Sequence, residues 1–480
     1  MQKGLSAWSL TMLALGTVIG GSFFIGAAVG IRTAGPSIII SYILGGILVY
    51  FILFALSEMT VADSSPGSFR TFAEKAFGPG LGFVVGWVYW TGLILAMSSE
   101  ATAVSMIVRG WIPWISLPIL GSIIIIGVTL LNLLGAERLS KLESGLAAVK
   151  LFAIVGFVIF GLVLIVGLMP GVPRVGAGEL TAEPFFSAGI GGIAGSMLIV
   201  MFTYAGFEVI GLAASETRDP QKTVPRAITY TVIGLVGLYL AAIAVLLPLI
   251  PTRNLTEETS PFVAALSRFG FGWAGNIINI ILVSAILSTM LAATFGLGRM
   301  IRSLADEGHA PSWLKAKGNI PYRGILFSGI SMLAGLGLGL LLPKQVYLFL
   351  LSSGGFALLF TYAIIIATHY KLRKKMECKG KCQLPGYPYS SWFTFLCLIA
   401  IIVSMPLVPG QGAGLAAGLA LVALFAIIYW AVKFRTRSMA AVFAKEKVGG
   451  STFEKWQMRT SMEASEEIYP RKDREEKRKE

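Results

Sequence analysis

The chain has 480 residues, of which 55% are hydrophobic and 13% are charged, and its mean hydropathy is +0.77. Soluble domains carry about 25% charged residues, so this composition excludes an ordinary soluble enzyme. Three cysteines cannot build a disulfide framework, and with two histidines they leave little material for a metal centre. The net charge of +14 suits the loops of a membrane protein. We therefore expect an integral membrane protein without a cofactor, a bound metal or a nucleic-acid partner.

A helix needs about 20 apolar residues to cross the hydrocarbon core, because each backbone polar group must be satisfied within it. The sequence predicts an all-α membrane fold with twelve such spans. They cover 8–30, 36–61, 81–108, 114–134, 145–169, 187–214, 226–250, 273–298, 324–342, 345–369, 391–408 and 412–433. The first is too long for the apolar part of a signal peptide and lacks a convincing cleavage site, so we expect it to stay as span one.

The distribution of Lys and Arg predicts the orientation. With the N-terminus inside, 32 of these residues fall on the inner side and 6 on the outer side. Basic residues concentrate in cytoplasmic loops, so both termini are expected in the cytoplasm of a cell-membrane protein. We expect a transmembrane domain over 1–433 and a charged cytoplasmic tail over 434–480. The tail is interpreted as solvated, with a regulatory or lipid-headgroup role as the alternative.

Four ionisable residues stand out in the interior of the predicted spans: Glu58, Glu100, Lys150 and Glu208. Charges inside a bilayer are costly, so each is a functional candidate. Glu58 and Lys150 lie near the ends of their spans, and the alternative for both is a side chain that reaches the interface. For the deeper Glu100 and Glu208, the alternative is a purely structural hydrogen bond.

Two spans carry glycine clusters at mid-membrane, GTVIGGSFF at 16–24 and MFTYAGFEVIG at 201–211. Glycine costs about 1 kcal/mol per position inside a helix, so such clusters need a reason. One reason is close packing of small residues, since Gly16 and Gly20 have GxxxG spacing. The other is that the helix unwinds and leaves backbone groups free for a ligand.

The two clusters lie within spans one and six. Each of these is the first span of a five-span half, so the clusters occupy corresponding positions in the two halves. Paired interrupted spans are typical of transporter binding sites. Five spans per half force the halves into opposite orientations. We therefore expect an inverted repeat over about 8–169 and 187–369, with two extra helices over 391–433.

Several segments resemble the amino acid–polyamine–organocation superfamily, and within it the amino acid transporter family of bacteria and fungi. Span one is similar to the family's Ile-Gly-Thr-Gly-Leu-Phe region followed by Ala-Gly-Pro, here at 34–36. LSEMTVADSSPGSF (56–69) resembles its Gly-Glu-Met and Pro-x-x-Gly-Ser-Phe, although Pro66 directly precedes Gly67 here. GFEVIGLAASETRDPQKTVPRAI (206–228) closely matches its Gly-x-Glu and Glu-x-x-Asn-Pro-x-Lys-x-x-Pro-Arg-Ala-Ile. The resemblance covers about 5–435 and implies a leucine-transporter-like fold.

Broken helices suit a zwitterion. The N-terminal end of the outer half of span one presents free N–H groups for an α-carboxylate, and the candidates are Gly21, Ser22 and Phe23. Free carbonyls of Val18, Phe202 and Ala205 suit an α-ammonium. Glycine at 20, 21 and 206 permits close approach of a ligand. The family's third glycine of the first break is Ser22 here.

Side-chain selection is expected from spans one, three, six, eight and ten, through Met97, Ser98, Phe202, Leu291, Phe295 and Phe356. Where the family has Asn-Ser and Tyr in span eight, this chain has Leu291-Ala292 and Phe295. The loss of polar groups favours a neutral substrate with an apolar side chain. A cationic side chain recognised by Glu100 or Glu208 is the alternative.

The resemblance also places Lys150 where a sodium ion would lie between spans one and eight, and a fixed cation disfavours a second one. We therefore expect proton symport with Lys150 as the switch and Glu100 as its partner. Glu208 is expected to couple substrate occupancy to gating, and Phe202 to act as a gate.

Other classes of function fit less well. An amino acid exchanger is the first alternative, and a nutrient receptor without flux is an alternative from another class. A membrane enzyme needs convergent acid, base or metal groups, whereas His309 and His369 are both predicted in cytoplasmic loops. An ion channel needs rings of like groups rather than a site for one zwitterion. The sequence leaves the oligomeric state open.

Overall fold

The part of the chain that the structure describes folds almost entirely as helices in this computed structural model. The structure describes residues 6–63, 68–208, 210, 217, 219–256, 259–315, 318, 320–341, 346–375 and 383–446, apart from the side chains of 136–144, 254, 339–341, 346 and 435–446. The α-helices are α1 (Ala7–Val18), α2 (Gly21–Phe24), α3 (Gly26–Ala34), α4 (Ile38–Ala62), α5 (Ser68–Phe77), α6 (Pro79–Arg109), α7 (Leu117–Asn132), α8 (Ala136–Val166), α9 (Gly189–Thr203), α10 (Pro220–Leu246), α11 (Pro261–Arg268), α12 (Gly272–Asp306), α13 (Tyr322–Leu341), α14 (Val346–Leu372), α15 (Tyr389–Ser404) and α16 (Gln411–Glu446). Short 3-10 helices occupy Gly35–Ser37, Gly178–Thr181, Leu247–Leu249, Thr252–Asn254, Ser312–Leu314, Arg373–Lys375 and Met405–Leu407.

Eight helical segments of the described chain are long and apolar enough to cross a membrane. They are Gly21–Ala62, Pro79–Arg109, Gly145–Val166, Pro220–Leu249, Gly272–Asp306, Tyr347–Lys375, Tyr389–Leu407 and Gln411–Phe434. Shorter apolar helices cover Ala7–Val18, Leu117–Asn132, Gly189–Thr203 and Tyr322–Leu338. Every predicted span overlaps one of these segments, and the count of twelve stays a prediction.

Local sequence explains where several helices begin and end. The Ser6 side chain accepts the N–H of Ser9 at 3.1 Å and so caps α1. Pro220 opens α10 at the position where a missing N–H costs nothing. Gly167 ends α8 in the left-handed conformation at φ 84°, which glycine adopts without a Cβ clash.

Small residues let α6 and α14 pack closely. A Cβ on Gly354 of α14 would lie 2.9 Å from the Gly92 carbonyl oxygen and 3.1 Å from the Ala96 backbone nitrogen of α6. Without side chains at these points the two backbones approach, as in other membrane helix pairs. One hydroxyl group from each of these two helices, Tyr89 of α6 and Tyr362 of α14, bonds to the same residue, Glu208.

The chain divides into two compact units, Met1–Phe425 and Ala426–Glu480. The first contains α1–α15 and the beginning of α16. In the second, Trp430 stacks on Phe434 with ring centroids 5.6 Å apart, and both rings are largely exposed. Residues 447–480 of the predicted tail lie outside the described residues.

Candidate functional site

The first span is interrupted where the glycines cluster. α1 ends at Val18, Ile19 and Gly20 are extended, and α2 begins at Gly21. The glycines also pack closely, since a Cβ on Gly20 would lie 3.0 Å from the Thr289 hydroxyl oxygen of α12. Unwinding and close packing, the two alternatives from the sequence, therefore occur together.

Glu100 of α6 lies at the N-terminal end of α2. Its Oε1 accepts the N–H of Ser22 at 3.1 Å, while its Oε2 has no hydrogen-bond partner among the described residues. Oε2 lies so close to Gly21 that a Cβ there would overlap it. The N–H of Phe23 is bonded instead to the Gly20 carbonyl at 3.3 Å. A buried carboxyl group thus occupies the place where the sequence predicts a substrate carboxylate.

Lys150 of α8 lies on the other side of the same break. Its Nζ donates to the Gly16 carbonyl at 2.9 Å and to the Thr289 hydroxyl at 3.2 Å. Thr289 in turn donates to the Ile19 carbonyl at 3.2 Å. The ammonium therefore lies between α1, α8 and α12, at the C-terminal end of α1, where the helix dipole favours a cation. The side chain is fully buried, so the alternative that it reaches the interface is wrong.

The second break lies against the first. α9 ends at Thr203, and turns follow over Tyr204–Glu208. Gly206 has φ +105°, and a Cβ on it would lie 2.9 Å from the Thr17 carbonyl oxygen. The Thr17 hydroxyl donates to the Gly206 carbonyl at 3.2 Å. Glycine is thus required here both by its φ and by the approach of the α1 backbone.

Not every carbonyl predicted at the second break is free. The carbonyl of Phe202 accepts the N–H of Ala205 at 3.1 Å, which closes a turn. Ala205 itself is half-buried beside Gly206. In the first break, Val18 lies between Gly16 and Ile19, whose carbonyls are taken by Lys150 and Thr289.

Glu208 accepts three hydrogen bonds from groups that the structure describes. Its donors are the Gly206 N–H at 3.0 Å, the Tyr89 hydroxyl at 3.0 Å and the Tyr362 hydroxyl at 3.3 Å. Tyr89 belongs to α6 and Tyr362 to α14, so this carboxyl group ties the second break to both helices. The two contacting breaks with Glu100, Lys150 and Glu208 are called the junction below.

Aromatic rings pack beside the junction. Phe23 stacks on Tyr239 of α10 with centroids 3.8 Å apart and an interplanar angle of 4°. The Tyr239 hydroxyl donates to the Thr203 carbonyl at 3.3 Å, and the Tyr204 hydroxyl donates to the Tyr42 carbonyl at 3.0 Å. Sequence reasoning missed Tyr42 and Tyr239, because each stands alone in an apolar run without a local signal.

The span-eight residues that contact the first break are Ile286 and Thr289, which the sequence did not single out. Leu291 follows Thr289 by two positions, a rotation of about 200° round the helix, and lies on another face. The Phe295 ring lies under the Arg299 guanidinium, 5.0 Å from its centroid. Leu291 and Phe295 therefore point away from the face of α12 on which Ile286 and Thr289 meet the break, and their role in side-chain selection stays a prediction.

Two further candidate lining residues contact neighbouring helices instead. The Ser98 hydroxyl donates to the Met332 carbonyl of α13 at 3.0 Å. The Phe356 ring lies against Gly418 of α16, where a Cβ would overlap it. Met97 and Phe202 are buried.

Glu58 belongs to a second charged cluster. It is 1% exposed and accepts from His369 Nε2 at 3.0 Å and from the Leu384 N–H at 2.8 Å, and it pairs with Arg373. The prediction that His369 lies in a loop is wrong, because it lies in α14 and is fully buried. Glu58 is thus buried among its partners rather than exposed. These four residues form the Glu58 network.

A third cluster surrounds Arg70 of α5, which the sequence analysis did not single out. Its fully buried guanidinium contacts His309 Nδ1 at 3.3 Å, pairs with Glu307, and lies 3.5 Å from Glu74. Burial lowers the pKa of His309. The carboxylates of Glu74 and Glu307 raise this pKa, and the Arg70 charge lowers it, so that the net shift is downward. A neutral imidazole can accept from the guanidinium at Nδ1. Glu74, Glu307 and His309 are close enough to share a cation, and Arg70 supplies that positive charge.

Long apolar helices with two interrupted spans and buried charges define a multi-pass helical membrane protein. The amino acid permease family model matches residues 9–445, so the chain belongs to the amino acid permease family, a family of transporters rather than enzymes within the amino acid–polyamine–organocation superfamily.

Curated relatives agree with this assignment. The chain is 32% identical over 412 residues to the Gamma-aminobutyric acid permease of Bacillus subtilis (strain 168), covering 84% of this chain and 88% of the relative. It is 30% identical over 417 residues to the Aromatic amino acid transport protein AroP of Escherichia coli O6:H1, and the match covers 86% of this chain and 91% of the relative. It is 31% identical over 418 residues to the Probable GABA permease of Pseudomonas aeruginosa, and the match covers 85% of this chain and 88% of the relative.

Proposed function

We propose that the chain takes up an α-amino acid by proton symport and alternating access, and that the substrate is neutral with an apolar side chain. The observation that carries this proposal is the junction, where two interrupted helices touch and buried Glu100 and Lys150 hold opposite sides of one break. The relatives named for γ-aminobutyric acid and for aromatic amino acids support a zwitterion without net charge.

The proposed architecture is a leucine-transporter-like fold of twelve spans in a 5+5 inverted repeat with two extra helices. Contact between the breaks of spans one and six supports it, because the repeat axis brings corresponding spans together. The excess of Lys and Arg on one side supports a cell-membrane protein with both termini in the cytoplasm.

The substrate carboxylate is proposed to bind the N–H groups at Gly21 and Ser22, where the Glu100 carboxyl group now lies. Two carboxylates cannot share this position without strong repulsion, so Glu100 must take up a proton or move away. The unbonded Oε2 offers a place for that proton. The α-ammonium is proposed to meet the carbonyls of Val18 and Ala205.

Lys150 is proposed as the switch of proton coupling. In its charged form it holds the Gly16 carbonyl and the Thr289 hydroxyl, and thereby fastens α1 to α8 and α12. Loss of its proton weakens these bonds, because bonds from a charged donor are the stronger ones. The break in span one is then free to move.

Glu208 is proposed to couple substrate occupancy to gating, with Phe202 as a gate. Three donors already hold this carboxyl group, and they come from the second break, α6 and α14. A fully bonded carboxylate is a poor partner for a cationic substrate side chain, which favours a neutral substrate.

The test is uptake of labelled neutral, cationic and acidic amino acids into vesicles of purified protein, with and without an inward proton gradient. We expect the gradient to stimulate uptake of an apolar amino acid. Lys150→Ala should abolish that stimulation, whereas Lys315→Ala, at an exposed lysine, should retain it. Uptake that depends only on internal amino acid would identify an exchanger, and binding without flux a receptor.

A further inference from the structure

A groove lies on the outside of the helix bundle, beside the C-terminal end of α14. It has a volume of about 350 Å³ and is bounded by α5, α14 and α15. Its lining includes Phe77, Ile366, Tyr370, Lys371, Trp392 and Phe395. Apart from the Lys371 ammonium and the hydroxyl groups of Tyr370 and Ser391, the lining side chains are aliphatic or aromatic.

The surroundings of the groove belong to the membrane. Phe77 is 44% exposed and Trp392 is 51% exposed, and the exposed apolar face continues along α15 through Leu396. In a multi-pass membrane protein such a face meets acyl chains rather than water. Tyr and Trp mark the depth of the headgroups, so the groove opens where a lipid's chain meets its headgroup.

Basic residues stand at the rim. The Lys371 ammonium lies over the Phe77 ring, 4.5 Å from its centroid. It forms no ion pair with a carboxylate within the described part of the chain. Lys374 and Lys375 follow on the adjoining 3-10 turn and are exposed. Arg373, which lies between Lys371 and Lys374 in the sequence, is already paired with Glu58.

We propose that this groove binds an anionic phospholipid, with one acyl chain between α14 and α15 and the phosphate held by Lys371 together with Lys374 or Lys375. An apolar cleft beside unpaired ammonium groups matches both parts of such a molecule. Each basic residue near a membrane surface favours an anionic lipid by about fivefold. The proposal needs only the membrane location of the chain and does not depend on the transported substrate.

The groove adjoins the Glu58 network. The Tyr370 ring contacts the rings of Trp392 and Tyr387, each at 5.7 Å between centroids. The Arg373 guanidinium lies 5.0 Å from the Tyr387 ring centroid. A lipid in the groove therefore rests on rings that support the partner of Glu58.

The test is native mass spectrometry of the purified full chain with phosphatidylglycerol or phosphatidylcholine of identical acyl chains. We expect about fivefold or greater retention of phosphatidylglycerol. Lys371→Gln should reduce this preference, whereas Lys315→Gln, at an exposed lysine away from the groove, should not. Equal retention of the two lipids, or an unchanged preference in Lys371→Gln, would overturn the proposal.

A second pair of variants tests the place of binding without changing charge. Ala367→Leu adds bulk to a residue that lines the groove, and we expect it to lower phosphatidylglycerol retention several-fold. Ala400→Leu adds the same bulk to an exposed position of α15 and should leave retention unchanged. Equal retention by both variants would show that the lipid binds elsewhere.

Discussion

The junction and the Glu58 network both bury carboxyl groups, but they satisfy them differently. In the network Glu58 pairs with the side chains of Arg373 and His369 and also accepts the Leu384 N–H, so two of these three partners are ionisable side chains of helical elements. At the junction, Glu100 and Lys150 bond to backbone groups that are available only because a helix is interrupted. Backbone groups at a break can exchange one partner for a ligand, whereas a buried ion pair resists separation. The contrast predicts that junction variants alter transport and that network variants alter stability.

The largest effect should come from Gly206→Ala. Alanine at φ +105° costs about 1–2 kcal/mol, and its Cβ would lie 2.9 Å from the Thr17 carbonyl oxygen. The two breaks must then separate, so we expect uptake by vesicles to be lost. Gly237→Ala is the matched control, since a Cβ there meets nothing within 4 Å, and it should retain uptake. Normal uptake by Gly206→Ala would contradict the close contact of the two breaks.

The next effect should come from Glu208→Gln. A hydrogen bond to a charged group contributes about 1.5–3 kcal/mol, so loss of this acceptor should lower the initial rate of uptake about ten- to a hundredfold. Tyr89→Phe removes one donor and should cost less, about fivefold. Tyr50→Phe, at a half-buried tyrosine of α4, serves as the control. If Glu208→Gln transports normally, the carboxyl group is structural.

Glu58→Gln should act mainly on stability. Removal of one partner from a buried pair costs about 3–5 kcal/mol, so the unfolding temperature in detergent should fall by several degrees. Uptake per folded molecule should change less than in Glu208→Gln. Glu179→Gln at the partly exposed pair with Arg268 is the control, with an expected cost below about 1 kcal/mol. If uptake per folded molecule falls as much in Glu58→Gln as in Glu208→Gln, the proposed difference between the network and the junction is wrong.

The smallest effect concerns His309. Its pKa in the folded protein lies below the ordinary 6.5, so the unfolded chain binds more protons between these two values. The contribution of His309 to stability is present above pH 6.5 and is lost as the pH falls from 6.5 through the folded-state pKa. His309→Gln should flatten this part of a curve of unfolding temperature against pH. An identical slope in the variant would assign the dependence to another group.

The sequence predicts the helices well because their length and apolar character are local properties. The break at Gly20 and the turn at Gly206 were found for the same reason, since glycine clusters at mid-membrane have few explanations. Buried charges at Glu100, Lys150 and Glu208 stand out in apolar runs.

Partners in space were harder to predict. Arg70 was missed because nothing in α5 indicates that α12 and His309 enclose it. His369 was placed in a loop because the length of α14 depends on its packing. In α12 the sequence analysis predicts Leu291 as a lining residue, whereas the rotation of the helix brings Ile286 and Thr289 to the break. Helix rotation is set by tertiary packing, which a single sequence does not contain.

The most direct measurement compares binding of a neutral amino acid and its primary amide to the purified wild-type protein by calorimetry. The amide keeps the α-ammonium and the side chain but lacks the carboxylate that we assign to the N–H groups at Gly21 and Ser22. We predict binding of the amino acid and at least about thirtyfold weaker binding of the amide, as expected when charge-assisted bonds are lost. Equal affinity for the two compounds would contradict the assignment of the first break as the carboxylate site.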